Sequence, residues 1–226
     1  MVSIWNGVPD LVSTTPFDIS VFNNYCDLNS YILDIGCGYG RILKILEDNA
    51  FVNLYGIDSS EVQLRRADKS LTKSKLIISN ALSIPFADNC FDCAITFGLI
   101  NNFVHKDMVV LLLAEVYRVL KDDAIWFVNL YSPNHTEDFK KKYRDGFEVF
   151  SVWGTFKSNA GFLFRHYPVE HFLGMTFNLF ETLHCEKKSF LSMNHTKTVN
   201  GYSIILRKIP PNKTLEWSLG ATIATL

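Results

Sequence analysis

The chain has 226 residues, 48% of them hydrophobic and 20% charged, with a formal net charge of −1. That length suits one well-buried α/β domain and is short for two. The near-zero charge argues against broad attraction to nucleic acid or an anionic membrane, and the longest apolar run, Met108 to Ala114, is too short to span a bilayer. The opening MVSIWNGVPD has neither a basic stretch nor a long apolar one, so a cytoplasmic protein is expected. Five cysteines, an odd number, suit a reduced chain better than a disulfide framework. Cys90 and Cys93 form one C-x-x-C at the start of a strand-like run, without a second pair or spaced histidines. They read as ordinary thiols, and no metal is expected.

In chain order, Tyr31 to Ile35 reads as a buried strand ending at glycines, and Ile42, Ile45 and Leu46 then fall at helical spacing. Val52 to Ile57 is a second strand, closing on Asp58-Ser59-Ser60-Glu61, a plausible helix start, with a charged helix to about Lys69. Leu76 to Ile78 and Phe91 to Phe97 are the third and fourth strands. His105 to Leu120 is helical, and Lys121-Asp122-Asp123 turns into a fifth strand, Ala124 to Leu130. This alternation predicts a mainly parallel sheet covered on both faces. Past Pro133 the rhythm breaks. Residues 134–165 read as aromatic and irregular, followed by a short helix from Pro168 to Met175. Two long strands, Phe180 to Phe190 and Thr198 to Arg207, predict an antiparallel pair at the sheet edge. The tail from Pro210 reads as loosely attached, with Trp217 a candidate anchor.

The first strand runs into LDIGCGYG, Leu33 to Gly40. A dinucleotide fold wants G-x-G-x-x-G, but here the glycines are Gly36, Gly38 and Gly40, and Arg41 holds the dinucleotide's third position. No Gly-Lys-Ser/Thr follows, so a phosphate-cradling loop is also excluded. The spacing suits a turn beneath a nucleoside that lacks a pyrophosphate. Asp58, at the end of the second strand, can accept bonds from both ribose hydroxyls, or can merely cap the next helix.

At this point the chain resembles the class I S-adenosylmethionine-dependent methyltransferases. The resemblance covers residues 30–208 and rests on ILDIGCGYG, LYGIDSS, SNALSIPF, FDCAITFGLINNF and EVYRVLKDDA, in that order. It implies a Rossmann-like, doubly wound seven-stranded sheet, mostly parallel with an antiparallel last strand. It divides a single domain, 1–208, into a cofactor half at 30–130 and substrate-side cover at 1–29 and 133–175. It also implies S-adenosylmethionine as cofactor and S-adenosylhomocysteine as product. Carried over, Gly36, Cys37 and Gly38 line the methionine moiety by backbone, and Gly40 allows helix entry. Asp34 orients the ammonium end, Asp58 with Ser59 meets the ribose, Asn80 and Ala81 meet the adenine, and Phe97 and Gly98 flank the sulfonium. Asn80 departs from the family's usual Asp, and Lys121-Asp122-Asp123 from its Lys-Pro-Gly-Gly.

Gly98-Leu99-Ile100-Asn101 is not the Asn/Asp-Pro-Pro-Tyr of base-amino methyltransferases, and no Pro-Cys nucleophile is present there. The run Lys140 to Arg144 is flanked by Glu137, Asp138 and Asp145, and reads as a solvated helix face. Aromatics before Cys26 and between Pro133 and Met175, among them Trp5, Phe17, Phe22, Tyr25, Phe150, Trp153 and Tyr167, suit either a small-molecule pocket or an ordinary core. His166 in FRHYP is the candidate base, the alternative being a satisfied structural histidine. The expectation is methyl transfer to an oxygen or nitrogen of a small metabolite, with no nucleic acid or membrane partner. Protein or RNA methylation, or a non-catalytic cofactor-binding subunit, are the alternatives.

Overall fold

The computed structural model describes residues 16–158, 161–191 and 198–211. The first half comprises α1 (Ile19–Phe22), β1 (Tyr31–Ile35), α2 (Arg41–Asp48), β2 (Asn53–Asp58), α3 (Glu61–Asp68), β3 (Lys75–Ile78) and β4 (Phe91–Phe97). A 3-10 turn at Ile100–Asn102 follows, then α4 (Lys106–Val119), β5 (Leu120–Tyr131) and α5 (Glu137–Phe150). The remainder is β6 (Thr155–Lys157), β7 (Leu163–Arg165), α6 (Val169–Thr176), β8 (Phe180–Leu191) and β9 (Thr198–Lys208). None of the described helices is long and apolar enough to cross a membrane.

Seven strands form one sheet in the order β3-β2-β1-β4-β5-β9-β8. β1 to β5 are parallel, and β9 runs antiparallel to both β5 and β8. Adjacent residues of each strand face opposite sides, so both faces need cover. Leu33, Ile35 and Trp126 bury against α4 and α6, whereas Ile32, Ile95 and Phe127 bury against α1, α2 and α3. The predicted sheet, including its antiparallel last strand, is the one observed.

Two expectations are corrected, and an alternative left open is decided for two residues. The segment expected to be irregular forms α5 and the hairpin β6–β7. Phe139 and Tyr143 bury one helical face, and a Cβ on Gly146 would overlap the Thr155 carbonyl, so that glycine lets α5 lie directly on β6. β5 starts earlier than expected, at Leu120. The expected turn persists as a bulge at Asp123 (φ 60°), shifting the register between Phe91–Leu120 and Cys93–Ile125. Phe22 and Tyr167 belong to the core rather than to a pocket wall: Phe22 packs on Phe51 and Phe127, and the Tyr167 hydroxyl donates to the Phe103 carbonyl. Trp5 and Trp217 lie outside the described residues. Cys26, Cys37, Cys90, Cys93 and Cys185 are free thiols.

Candidate active site

β1 and β4 are sheet neighbours although β2 and β3 lie between them in the chain, so strand order reverses there. The crevice outside the carboxyl ends of such strands is where open α/β sheets bind ligands. β1 ends in the glycine turn, with Gly36, Gly38 and Gly40 at φ 76°, 55° and 81°, a region that strains any side chain. Their reasons differ. A Cβ on Gly40 would come within 2.7 Å of Leu71 Cδ1 and 3.0 Å of Ala67 Cβ, so its absence lets the turn pack on α3. A Cβ on Gly38, or on Gly98 at the end of β4, would meet nothing within 4 Å. Bare backbone therefore faces open space from both strand ends.

Four of the turn's N–H groups are already used. Gly36 and Cys37 N–H donate to the Ile57 carbonyl (2.8 and 3.0 Å), and Gly40 N–H to the Cys37 carbonyl (3.0 Å). Gly38 N–H donates to Asp58 Oδ2 at 2.9 Å. A pyrophosphate needs such N–H groups free. The turn therefore offers a ligand bare surface rather than an anion cradle.

Asp58 Oδ1 also accepts from Ser60 N–H (2.8 Å), while Ser60 caps α3 by accepting from Gln63 N–H. The helix-cap role thus falls to Ser60, and Asp58 ties the end of β2 to the glycine turn. Burial raises the Asp58 pKa, against the N–H groups of Ser60, Gly38 and Ser59. Ser59 itself is exposed. Asp34, only 3% exposed at the end of β1, has its pKa raised by burial to about 7. Arg41 opposes that shift and the Asp58 charge adds to it. Burial lowers the Arg41 pKa, and the neighbours that oppose this are Tyr39, Asp34 and Tyr131. The Cys37 thiol is buried and its pKa is pushed well up.

Asn80 is exposed beyond β3, and its Oδ1 accepts from Leu82 N–H (2.9 Å), which fixes a turn. Ala81 is half-buried beside it. Arg118 pins the continuation of this loop, donating to the Ile84 and Phe86 carbonyls (2.8 and 2.7 Å) and to Asp88 and Glu115. Phe97 meets Phe17 edge-on at 5.6 Å, which brings the N-terminal segment to the end of β4.

His166 follows β7, with its ring 6.2 Å from that of Tyr131 at the end of β5. It is 5% exposed among Phe139, Tyr143 and Phe156, with Nδ1 2.8 Å from the Tyr143 hydroxyl. Burial, with Lys142 nearby, lowers its pKa to about 3, well below the range of a base working near neutral pH. Sequence reasoning missed Asn101, which is fully buried in the 3-10 turn. Its amide donates to the carbonyls of Tyr131 (2.9 Å) and Arg165 (2.7 Å), and its Oδ1 accepts from Tyr131 N–H (2.8 Å). It fastens the hairpin to the ends of β4 and β5. The only sequence signal was an amide inside the run FGLINNF. Among the described residues no cluster could hold a metal ion.

A family described as "Methyltransferase domain" matches residues 33–128. The 24-methylenesterol C-methyltransferase 2 of Arabidopsis thaliana is 33% identical over 124 residues, 52% of this chain and 33% of that protein. "Probable tRNA methyltransferase 9B" of Bos taurus is 33% identical over 93 residues, 40% of this chain and 19% of that protein. The chain thus spans a third or less of the length of these two relatives. The crystal structure of a SAM-dependent methyltransferase from Methanosarcina mazei superposes with a TM-score of 0.78 at 24% identity, covering 84% of this chain and 97% of that one. Residues 33–128 thus match a methyltransferase-domain family, and the chain, with its glycine turn and Asp58 in place, shares the fold of the Methanosarcina mazei methyltransferase.

Proposed function

We propose that the chain transfers the methyl group of S-adenosylmethionine to an oxygen or nitrogen of a small-molecule acceptor, leaving S-adenosylhomocysteine. The observation that carries this reading is the bare backbone of Gly38 and Gly98, turned to open space at the reversal point of the sheet while the N–H groups of Gly36, Cys37, Gly38 and Gly40 are satisfied elsewhere. When bound, S-adenosylmethionine supplies an electrophilic methyl group. The chain's task is then to align the nucleophile with it. Gly36, Cys37 and Gly38 lie along the methionine moiety, and Asp34 serves its ammonium. Asp58 and Ser59 serve the ribose, Asn80 and Ala81 the adenine, and Phe97 and Gly98 the sulfonium.

A small acceptor is favoured by the aromatic cover built from Phe139, Tyr143, Phe156 and Phe164, with Tyr131 packed against it. In the basic run, Lys140 pairs with Glu137 (2.7 Å) and Lys142 with Asp138 (3.4 Å), so two of its four cations are balanced within the helix. The relative named for tRNA keeps nucleic acid as the second reading. His166 takes part in this proposal as a wall and hydrogen-bonding group rather than as the base. The Tyr143 hydroxyl accepts the Asn134 N–H (2.9 Å) and lies 2.8 Å from Nδ1, so the two side chains hold each other in place. With its pKa lowered to about 3 by burial, the ring stays neutral near pH 7.

Calorimetry with S-adenosylmethionine, S-adenosylhomocysteine and NADH tests the cofactor. The first two should bind one site, and tight NADH binding without a response to S-adenosylhomocysteine would sink the reading. S-adenosylhomocysteine formation with small-molecule extract, but not with transfer RNA, separates the acceptor classes. Turnover with transfer RNA alone would reverse the choice. Cofactor binding without turnover on either would leave a binding subunit.

A further inference from the structure

We propose that the hairpin β6–β7 carries a carboxylate-binding site formed by Arg165 and Thr155, so that the methyl acceptor is an organic carboxylic acid. This rests on the methyltransferase reading and adds the acceptor's chemical class. Arg165 is half-buried and pinned at two points. Nη1 donates to the Val104 carbonyl at 2.7 Å, and the guanidinium carbon lies 4.4 Å from the Tyr167 ring centroid. Among the described residues no carboxylate pairs with it, although Arg65, Arg118 and Arg207 each have one. Its Nε–H is buried without a partner.

Thr155 supplies the second, independent observation. Its residue is 0% exposed, and its hydroxyl has no hydrogen-bond partner. Thr155 and Arg165 are cross-strand partners in the antiparallel hairpin. Such partners project from the same face with Cβ atoms about 5 Å apart. Buried polar groups are ordinarily satisfied, and an orphan costs roughly 1–3 kcal/mol. Two orphaned donors side by side, one on a permanent cation, ask for a group that only accepts and is negative. A carboxylate has one oxygen for each. Asn101, bonded to the Arg165 carbonyl and to both backbone polar groups of Tyr131, holds this hairpin against the strand ends that carry the cofactor half. The site is therefore fixed relative to the crevice.

The test titrates benzoate, benzyl alcohol and inorganic phosphate into the full chain, with and without saturating S-adenosylhomocysteine, followed by protein NMR. Benzoate should saturate at concentrations at least about tenfold below the two controls. Arg165→Gln should weaken benzoate by at least about tenfold and leave benzyl alcohol unchanged. Thr155→Val removes only a hydroxyl that makes no bond in the fold. It should therefore fold as well as the wild type while weakening benzoate several-fold, which a purely structural role would not produce. Thr155→Val also decides the matter should Arg165→Gln fail to fold. Benzoate no tighter than benzyl alcohol, phosphate tighter than benzoate, or variants that bind benzoate like the wild type would each overturn the proposal. S-adenosylhomocysteine affinity, measured first on all three proteins, should be equal. Its absence in the wild type would count against the cofactor reading, while benzoate binding without it would still report on this site.

Discussion

Replacing Asp34 by Asn should make the ligand-free chain more stable and the cofactor weaker, and the first effect should grow with pH. The carboxyl is 3% exposed, and its pKa is raised from 3.8 to about 7, chiefly by burial. Below pH 3.8 the folded and unfolded chains both carry the proton, and the group contributes nothing. As pH rises, the unfolded chain loses the proton while the folded chain holds it, so stability falls until about pH 7 and stays low above. At 1.36 kcal/mol per pH unit, the interval amounts to about 4 kcal/mol. An Asn mimics the protonated form but must itself be buried, so a gain of roughly 1–4 kcal/mol at pH 8 is expected, and less at pH 5. For a chain of this size each kcal/mol moves Tm by about 2–4 °C. Urea unfolding followed by circular dichroism at pH 5, 6.5 and 8, without ligand, measures it. In parallel, S-adenosylmethionine should bind the variant more weakly, because the ionised carboxylate is what attracts an ammonium. A variant no more stable than the wild type at pH 8, or a gain equal at pH 5 and pH 8, would refute the reasoning.

Glu47 should show the opposite sign. Burial pushes its pKa up, but the N–H groups of Thr72, Lys73 and Ser74, with the Ser74 hydroxyl, together hold it at about 2 instead of 4.5. Its stabilisation is present above pH 4.5 and lost as pH falls through about 2. Glu47→Gln should cost roughly 2–3 kcal/mol at pH 7 and progressively less towards pH 3 by urea unfolding. Asp58→Ala should remain folded, since Ser60 caps α3, yet lower S-adenosylhomocysteine affinity about 10- to 150-fold in calorimetry; unchanged affinity would leave Asp58 a tether of the glycine turn alone. His166→Asn should lower turnover less than tenfold, and wild-type turnover should show no histidine step between pH 5 and 8. A loss of about a hundredfold, together with a pKa near 6.5 in the rate profile, would restore the histidine as general base.

The parallel half of the sheet could be read in the sequence because its signals are local. A two-sided strand must be apolar through its length, as Ile32 to Ile35 and Phe91 to Phe97 mostly are, and a left-handed turn selects glycine wherever it occurs in the chain. The spacing Gly36, Gly38, Gly40 with Asp58 at a strand end likewise separates a nucleoside turn from a pyrophosphate one before any contact is known. The helix α5 was harder to see: Phe139 and Tyr143 are at helical spacing, but the aromatics around them supply hairpin, core and surface together, and periodicity cannot sort them.

What only the tertiary structure decided depends on partners far apart in the chain and on burial. Asn101 gains its role from Tyr131 and Arg165, which the fold brings to one amide. The Asp34 pKa is raised to about 7 because packing takes the carboxyl out of water at the end of β1, something no residue beside it in the sequence reveals. The His166 pKa is lowered for the same reason, the ring being walled in by aromatics from α5 and β6. Arg165 and Thr155 become a pair only when the hairpin closes and leaves both donors without acceptors. Backbone conformation is selected residue by residue, so the chain records it; desolvation and hydrogen-bond satisfaction are properties of the packed whole.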